Sequence, residues 1–153
     1  MAHVERIHIS NGGVPKLPVE SADVGSLGLA GDAHRSRNHG GPERAVCLFS
    51  SERIESLRAE GHPIEPGWIG ENVLVRGLDW PAIVPGVRLR IGDQVELQVT
   101  RYAVPCSNLV PAFRDGFIAR VSQERFPGWA RAYARVLSGG AIRRGDPVEV
   151  TPD

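Results

Sequence analysis

Lysine is almost missing from this sequence: of its 18 basic residues, 17 are arginine and only Lys16 is not. Neither sign of charge dominates, because 18 Asp and Glu balance the 18 Lys and Arg. That balance removes any composition-level case for a general nucleic-acid or membrane-surface binder. Cysteine is scarce too, with only Cys47 and Cys106 among 153 residues. A secreted disulfide scaffold carries more cysteines in a shorter chain, so a reduced, cytoplasmic setting is expected. No apolar run approaches the roughly 18 residues that span a bilayer, and the start, Met1 to Arg6, lacks a signal-peptide pattern. No Gly-Lys-Ser/Thr follows a glycine-rich loop, which excludes a Walker-type phosphate loop. The arginine bias supplies forked donors for phosphate or carboxylate, although coding bias enriches arginine as well.

What is present is frequent punctuation. The 18 glycines and 12 prolines are spread along the whole chain, which suits short strands joined by turns. Two-residue alternation and apolar runs predict strands at Val4–Ser10, Ala45–Ser50, Glu71–Val75, Val87–Ile91, Gln94–Arg101, Ala132–Leu137 and Pro147–Thr151. Gly92-Asp93 predicts a hairpin turn, and Gly145-Asp146 a second turn before the last strand. One helix is predicted after a Ser51 cap, with Ile54 and Leu57 on one face and Gly61 at its end. A shorter helix is expected at Phe117–Arg125, stopped by Pro127. No βαβ rhythm and no long repeat is visible. The expectation is a single domain over residues 1–153, mainly β with short helices (α+β), closed or nearly closed into a β-barrel.

Cys106 carries the sharpest chemical signal. It follows the alternating stretch Gln94–Arg101, one residue after Pro105, at a strand end where sites tend to lie. Arg101 supplies a nearby cation of the kind that favours a thiolate, the form that attacks electrophiles and binds metals. The alternative is a small buried hydrophobe near a turn.

The densest polar segment runs from Gly28 to Arg44 and leads into an apolar strand. Its glycines let backbone N–H groups approach an anion, and Arg35, Arg37 and Arg44 offer forked donors. A phosphate-bearing ligand is the functional reading; a solvated polar loop is the bland one. His34, His39, Cys47 and Cys106 are zinc-ligand types, but their spacing matches no zinc pattern, and Cys47 reads as core. Asn72, opening a strand, offers an amide that both donates and accepts, or is an ordinary turn residue. Asp32 and Glu43 offer an acid or base, although single carboxylates in a loop are usually structural. Trp129, Arg131, Tyr133 and Arg135 alternate along a strand and share one face, where they line a barrel mouth or simply pack.

The motifs occur in a recognisable order: Gly28-x-x-Gly31-Asp32, then His39-Gly-Gly-Pro-Glu-Arg-Ala-Val46, Gly70-Glu71-Asn72, Tyr102-Ala-Val-Pro-Cys106, Gly128-Trp-Ala-Arg131, Ala134-Arg-Val-Leu137 and Gly145-Asp-Pro-Val148. This succession resembles the MOSC domain, named for the C-terminal domain of molybdenum cofactor sulfurases. The resemblance implies a MOSC-type β-barrel and a molybdenum cofactor (molybdopterin), with Cys106 as molybdenum ligand and catalytic residue. It places Arg35, Arg37, His39 and Arg44 against cofactor phosphate or pterin, and Asn72 at the edge of the same pocket. Arg101 joins them as a cofactor-binding cation. The implied activity is a molybdenum-dependent oxidoreductase reducing N-hydroxylated small molecules. The alternative is a sulfur carrier holding a persulfide on Cys106. A third reading, a phosphate-binding module without turnover, tolerates loss of the thiol. The chain is too short for a sulfurase's aminotransferase-like domain and carries no iron–sulfur, flavin or dinucleotide fingerprint. Electrons or sulfur are therefore expected from a separate reductase or sulfur donor, with no nucleic-acid or membrane partner.

Overall fold

Short β segments dominate, as the punctuation predicts. The computed structural model describes residues 1–33 and 40–152. Its strands are β1 (His3–Ile9), β2 (Leu17–Val19), β3 (Ser21–Gly25), β4 (Gly28–Leu29), β5 (Val46–Ser50), β6 (Val73–Arg76), β7 (Arg88–Ile91), β8 (Val95–Tyr102), β9 (Ala132–Ser138), β10 (Gly140–Arg143) and β11 (Val148–Thr151). The single α-helix among the described residues, α1 (Ser51–Ala59), lies between β5 and β6. Eight strands form one sheet in the order β11-β7-β8-β9-β5-β6-β1-β2, and β10-β3-β4 form a second.

The large sheet is not closed into a barrel, which corrects the closed form expected from sequence. Its outer strands are β11 and β2, and they do not pair with each other. Both ends carry proline: Pro18 sits inside three-residue β2, and Pro147 immediately precedes β11. Proline cannot donate to a ladder, so it confines a strand to an edge. One bridge, His3↔Pro147, is all that joins β1 to the approach of β11 as a ladder. Beside it, the Val4 N–H donates to Asp146 O at 2.8 Å and the Val148 N–H to Ala2 O at 3.0 Å, so the two ends of the fold lie side by side.

A crossover missing from the expectation is also present. β5 and β6 run parallel and are joined through α1, a βαβ unit in an otherwise antiparallel sheet. β5 supports this because all five residues, Val-Cys-Leu-Phe-Ser, are buried, as in a strand covered on both faces. The α1 cap is Ser50, one residue earlier than expected; its side chain accepts from the Arg53 N–H at 3.2 Å. Ile54 and Leu57 turn inward, and Gly61 at φ +101 ends the helical course. Burying Leu57 alone is worth roughly 1.5–3 kcal/mol. The expected second helix, Phe117–Arg125, is instead one short 3₁₀ turn, Ile118–Val121, which follows two others at Ser107–Ala112 and Arg114–Gly116. Ser122 is extended, at φ −88 and ψ 127, and ends the turn after four residues, before the stop expected at Pro127.

Candidate functional site

The central strands of the large sheet deliver their ends to one cavity of about 50 Å³. Cys106 reaches it from the turn after β8, Cys47 from β5, and Tyr133 from β9. Arg44 comes from the 3₁₀ turn before β5, and Asn72 and Gly70 from the approach to β6. Lys16 and Arg131 line it as well. The chain brings residues 16 and 131 together because β1, β6, β5 and β9 are lateral neighbours in the sheet.

Cys106 stands at the start of the Ser107–Ala112 turn in extended conformation, and its carbonyl accepts from the Leu109 N–H at 3.0 Å. It is half-buried, whereas Cys47 is buried. Burial pushes the Cys47 thiol up to about 11, so it is a neutral wall at physiological pH. Cys47 packs with Ala103 and Tyr133, as its apolar sequence context suggests. Burial likewise pushes the Tyr133 phenol up to about 12. The Arg44 guanidinium lies 5.9 Å from the Tyr133 ring centroid, which fixes it at the cavity wall.

Beneath the rim lies a buried polar network. The Asn72 amide oxygen accepts from the Cys47 N–H at 3.0 Å, and its NH₂ donates to His8 O at 3.1 Å and Asp32 Oδ2 at 3.0 Å. Both Asn72 donors are thus occupied within the protein, leaving one acceptor lone pair for a ligand. Lys16 Nζ donates to Asp32 Oδ1 at 2.7 Å, and Asp32 Oδ1 also accepts from the Ser10 N–H at 2.9 Å. Glu71 is fully buried; its Oε2 accepts from the Gly67 N–H at 2.8 Å while Oε1 has no partner. Burial pushes the Glu71 carboxyl up to about 7, against the opposing pull of backbone N–H groups and Arg131. Arg131 donates from Nη1 to Ile69 O at 2.8 Å, and its Nε is buried without a partner. Burial also holds His8 down at about 4, with Arg6 and Lys16 adding to the effect.

Gly67 makes this arrangement possible. Its N–H holds Glu71 and its carbonyl accepts from the Lys16 N–H at 2.8 Å. A Cβ there would sit 2.3 Å from Lys16 O, and φ is +88. Only glycine lets the two segments approach so closely.

Of the residues singled out from sequence, Cys106, Arg44 and Asn72 meet at the cavity. Arg101 does not line it; it is exposed and stands opposite Tyr133 across the β8–β9 ladder. Arg35, Arg37 and His39 lie outside the described residues, as does His34. Of the four alternating residues, only Arg131 and Tyr133 reach the cavity. Arg135 pairs with Glu43 at 2.7 Å, and the Trp129 ring lies between the guanidinium groups of Arg53 and Arg120, at 4.0 and 3.9 Å. Sequence reasoning missed Lys16 and Glu71 as site residues and set Asp32 aside as structural. The signals available were the solitary lysine for Lys16 and the Gly70-Glu71-Asn72 motif for Glu71. Among the described residues no three His, Cys, Asp or Glu side chains converge to hold a metal ion.

Residues 35–149 match the MOSC domain family, three quarters of the chain. This chain belongs to the MOSC domain family. The MOSC domain here is 33% identical over 131 residues to a protein of Gibberella moniliformis named "Reductase", covering 82% of this chain and 23% of that one. It is 30% identical over 142 residues to the uncharacterized protein YflK of Bacillus subtilis, covering 90% of this chain and 62% of that one. This MOSC domain thus spans less than two thirds of either relative. Among solved structures, YiiM of Geobacillus stearothermophilus matches with a TM-score of 0.73 at 24% identity, over 99% of this chain and 76% of that one. YuaD of Bacillus subtilis matches with a TM-score of 0.75 at 21% identity, over 98% and 96%. These structural likenesses establish the fold. The MOSC family is associated with binding of the molybdenum cofactor.

Proposed function

We propose that this MOSC domain binds a molybdenum–pterin cofactor through the Cys106 thiolate and acts as an oxidoreductase reducing N-hydroxylated small molecules. The observation that carries this reading is the cavity's composition: one half-buried thiol lining the same cavity as Lys16, Arg44 and Arg131. A thiolate is a soft donor suited to a sulfur-rich metal centre, and the cations suit an anionic cofactor. The orphaned Arg131 Nε and Glu71 Oε1 show that the protein alone does not satisfy the network around this cavity. When bound, the cofactor supplies the redox chemistry; the protein supplies orientation, charge and exclusion of water. Arg44, braced on Tyr133, holds the anionic part of the ligand. Val14, Ile69 and Leu109 give the cavity apolar walls that keep water out. Arg35, Arg37 and His39 extend the cationic contacts to phosphate or pterin, and electrons come from a separate reductase. The relative named "Reductase" supports this class of activity.

The half-buried, accessible sulfur of Cys106 also favours a second reading, a persulfide carrier without turnover. Elemental analysis of protein from molybdate-supplemented, cofactor-competent cells decides between them. Near-stoichiometric molybdenum and pterin, both lost in Cys106→Ala, is the expected result. Absence of metal and pterin, with one additional sulfur on Cys106 by mass, establishes the carrier instead.

A further inference from the structure

The cavity encloses more positive than negative charge. Lys16 is 7% exposed and Arg131 6%, so both cations are more than nine-tenths buried, and both line the cavity. Two acids are enclosed with them, Asp32 and Glu71. Asp32 pairs with Lys16 at 2.7 Å. Glu71 makes no ion pair with Arg131, and its burial leaves it only partly ionised near neutrality. Residues 34–39, outside the described residues, read His-Arg-Ser-Arg-Asn-His and contain no acid. Nothing in that segment can therefore supply the missing negative charge.

Donors are in excess as well. An ammonium carries three N–H donors, and the hydrogen bond to Asp32 occupies one of those on Lys16. Arg131 Nε has no acceptor at all. A buried cation without its full set of acceptors costs several kcal/mol. An exposed cation in this chain is always arginine, yet this enclosed position alone carries lysine. An ammonium is a compact point charge with rotatable donors, whereas a guanidinium is a broad rigid fork. The cavity that Arg131 bounds thus has the more compact of the two cations as its other buried charge.

We propose that Lys16 and Arg131 form an oxoanion site on the cavity floor, which takes an anionic oxygen placed beside Cys106. The ligand class is a small oxoanion, or one oxygen of a larger anionic group seated in the same cavity. Asp32 is a positioning residue: it holds the ammonium in place and leaves two donors for the ligand. The site needs no molybdenum, so it stands or falls separately from the cofactor reading.

The lone lysine makes the test direct, because protein labelled with ¹³Cε-lysine gives a single side-chain resonance. The full chain, purified without cofactor, is titrated with molybdate, sulfate and phosphate in turn. A saturable shift of that resonance, with a matching calorimetric Kd, is the expected result. Arg131→Gln and the charge-neutral double variant Lys16→Met/Asp32→Asn should each weaken binding about tenfold or more, with melting curves confirming that they fold. Lys16→Arg keeps the charge and should still lose a comparable factor. If free anions leave the resonance unmoved but cofactor-loaded protein shifts it, the oxygen belongs to the larger group. A resonance unmoved in both, or anion affinity equal in Lys16→Arg and the unaltered chain, overturns the proposal.

Discussion

Around helix α1, arginines meet carboxylates in water: Arg58 pairs with Glu65, and Arg76 with Glu5 and Glu55, all at least 31% exposed at the side chain. Around the cavity, Lys16, Arg131, Asp32 and Glu71 are enclosed by protein, and only Lys16 and Asp32 form an ion pair. The two regions use the same chemical groups under different physics. In water, ion pairs contribute roughly 0–1 kcal/mol, and losing one partner leaves the other hydrated. Inside, each charge has lost its hydration and depends on the geometry of its neighbours. The surface pairs are therefore interchangeable decoration, while the enclosed set is a committed arrangement that stability alone does not explain.

The sharpest way to break this contrast is Gly67→Ala. It forces a Cβ against Lys16 O and a side chain into the positive-φ region, and should cost about 3 kcal/mol or more while displacing Lys16 from Asp32. A chemical-denaturation midpoint like that of the unaltered chain would show that the two segments need not be so close. Next in size are the two buried titrating groups, which oppose each other. Glu71 is raised to about 7, so the folded state keeps a proton that the unfolded state loses, and stability falls as pH rises from about 4.5 to about 7. His8 is lowered to about 4, so the unfolded state takes a proton that the folded state refuses, and stability falls as pH drops from about 6.5 to about 4. Each contribution is ~3 kcal/mol at full extent. Over the shared window they nearly cancel, giving a flat stability profile. Glu71→Gln should unmask the His8 slope, so that stability rises with pH between about 4 and 6.5; thermal melts across that range read it. A Glu71→Gln profile as flat as the unaltered one counts against the buried carboxyl. The smallest effect belongs to the surface: Arg58→Gln should change stability by less than about 1 kcal/mol. A larger loss would erase the difference between the two regions.

The sequence made half of this contrast legible. The seven strands read from periodicity are present within two residues, because their apolar faces are built locally. β2, β3, β4 and β10 were not visible: they are two to five residues long, and β2 contains Pro18. The parallel β5–β6 pairing was hidden because a run of buried residues does not state the direction of its neighbour. At the site, Cys106, Arg44 and Asn72 were legible through motif order. Lys16 was not, since what holds it is contact with distant segments, Gly67 and Asp32, while Glu71 stood in the Gly70-Glu71-Asn72 motif with no role of its own. No local pattern encodes a meeting between residues so far apart.

The bridge His3↔Pro147 and the hydrogen bond from Val148 to Ala2 have a consequence for evolution. A fold whose entry and exit lie next to each other can be spliced into a loop of another polypeptide without prising its sheets apart. Such a cassette adds a ligand-sized cavity to a host through two short junctions, and the host's own architecture need not stretch to span it. A match confined to 23% of the Gibberella moniliformis protein is the pattern such portability leaves behind.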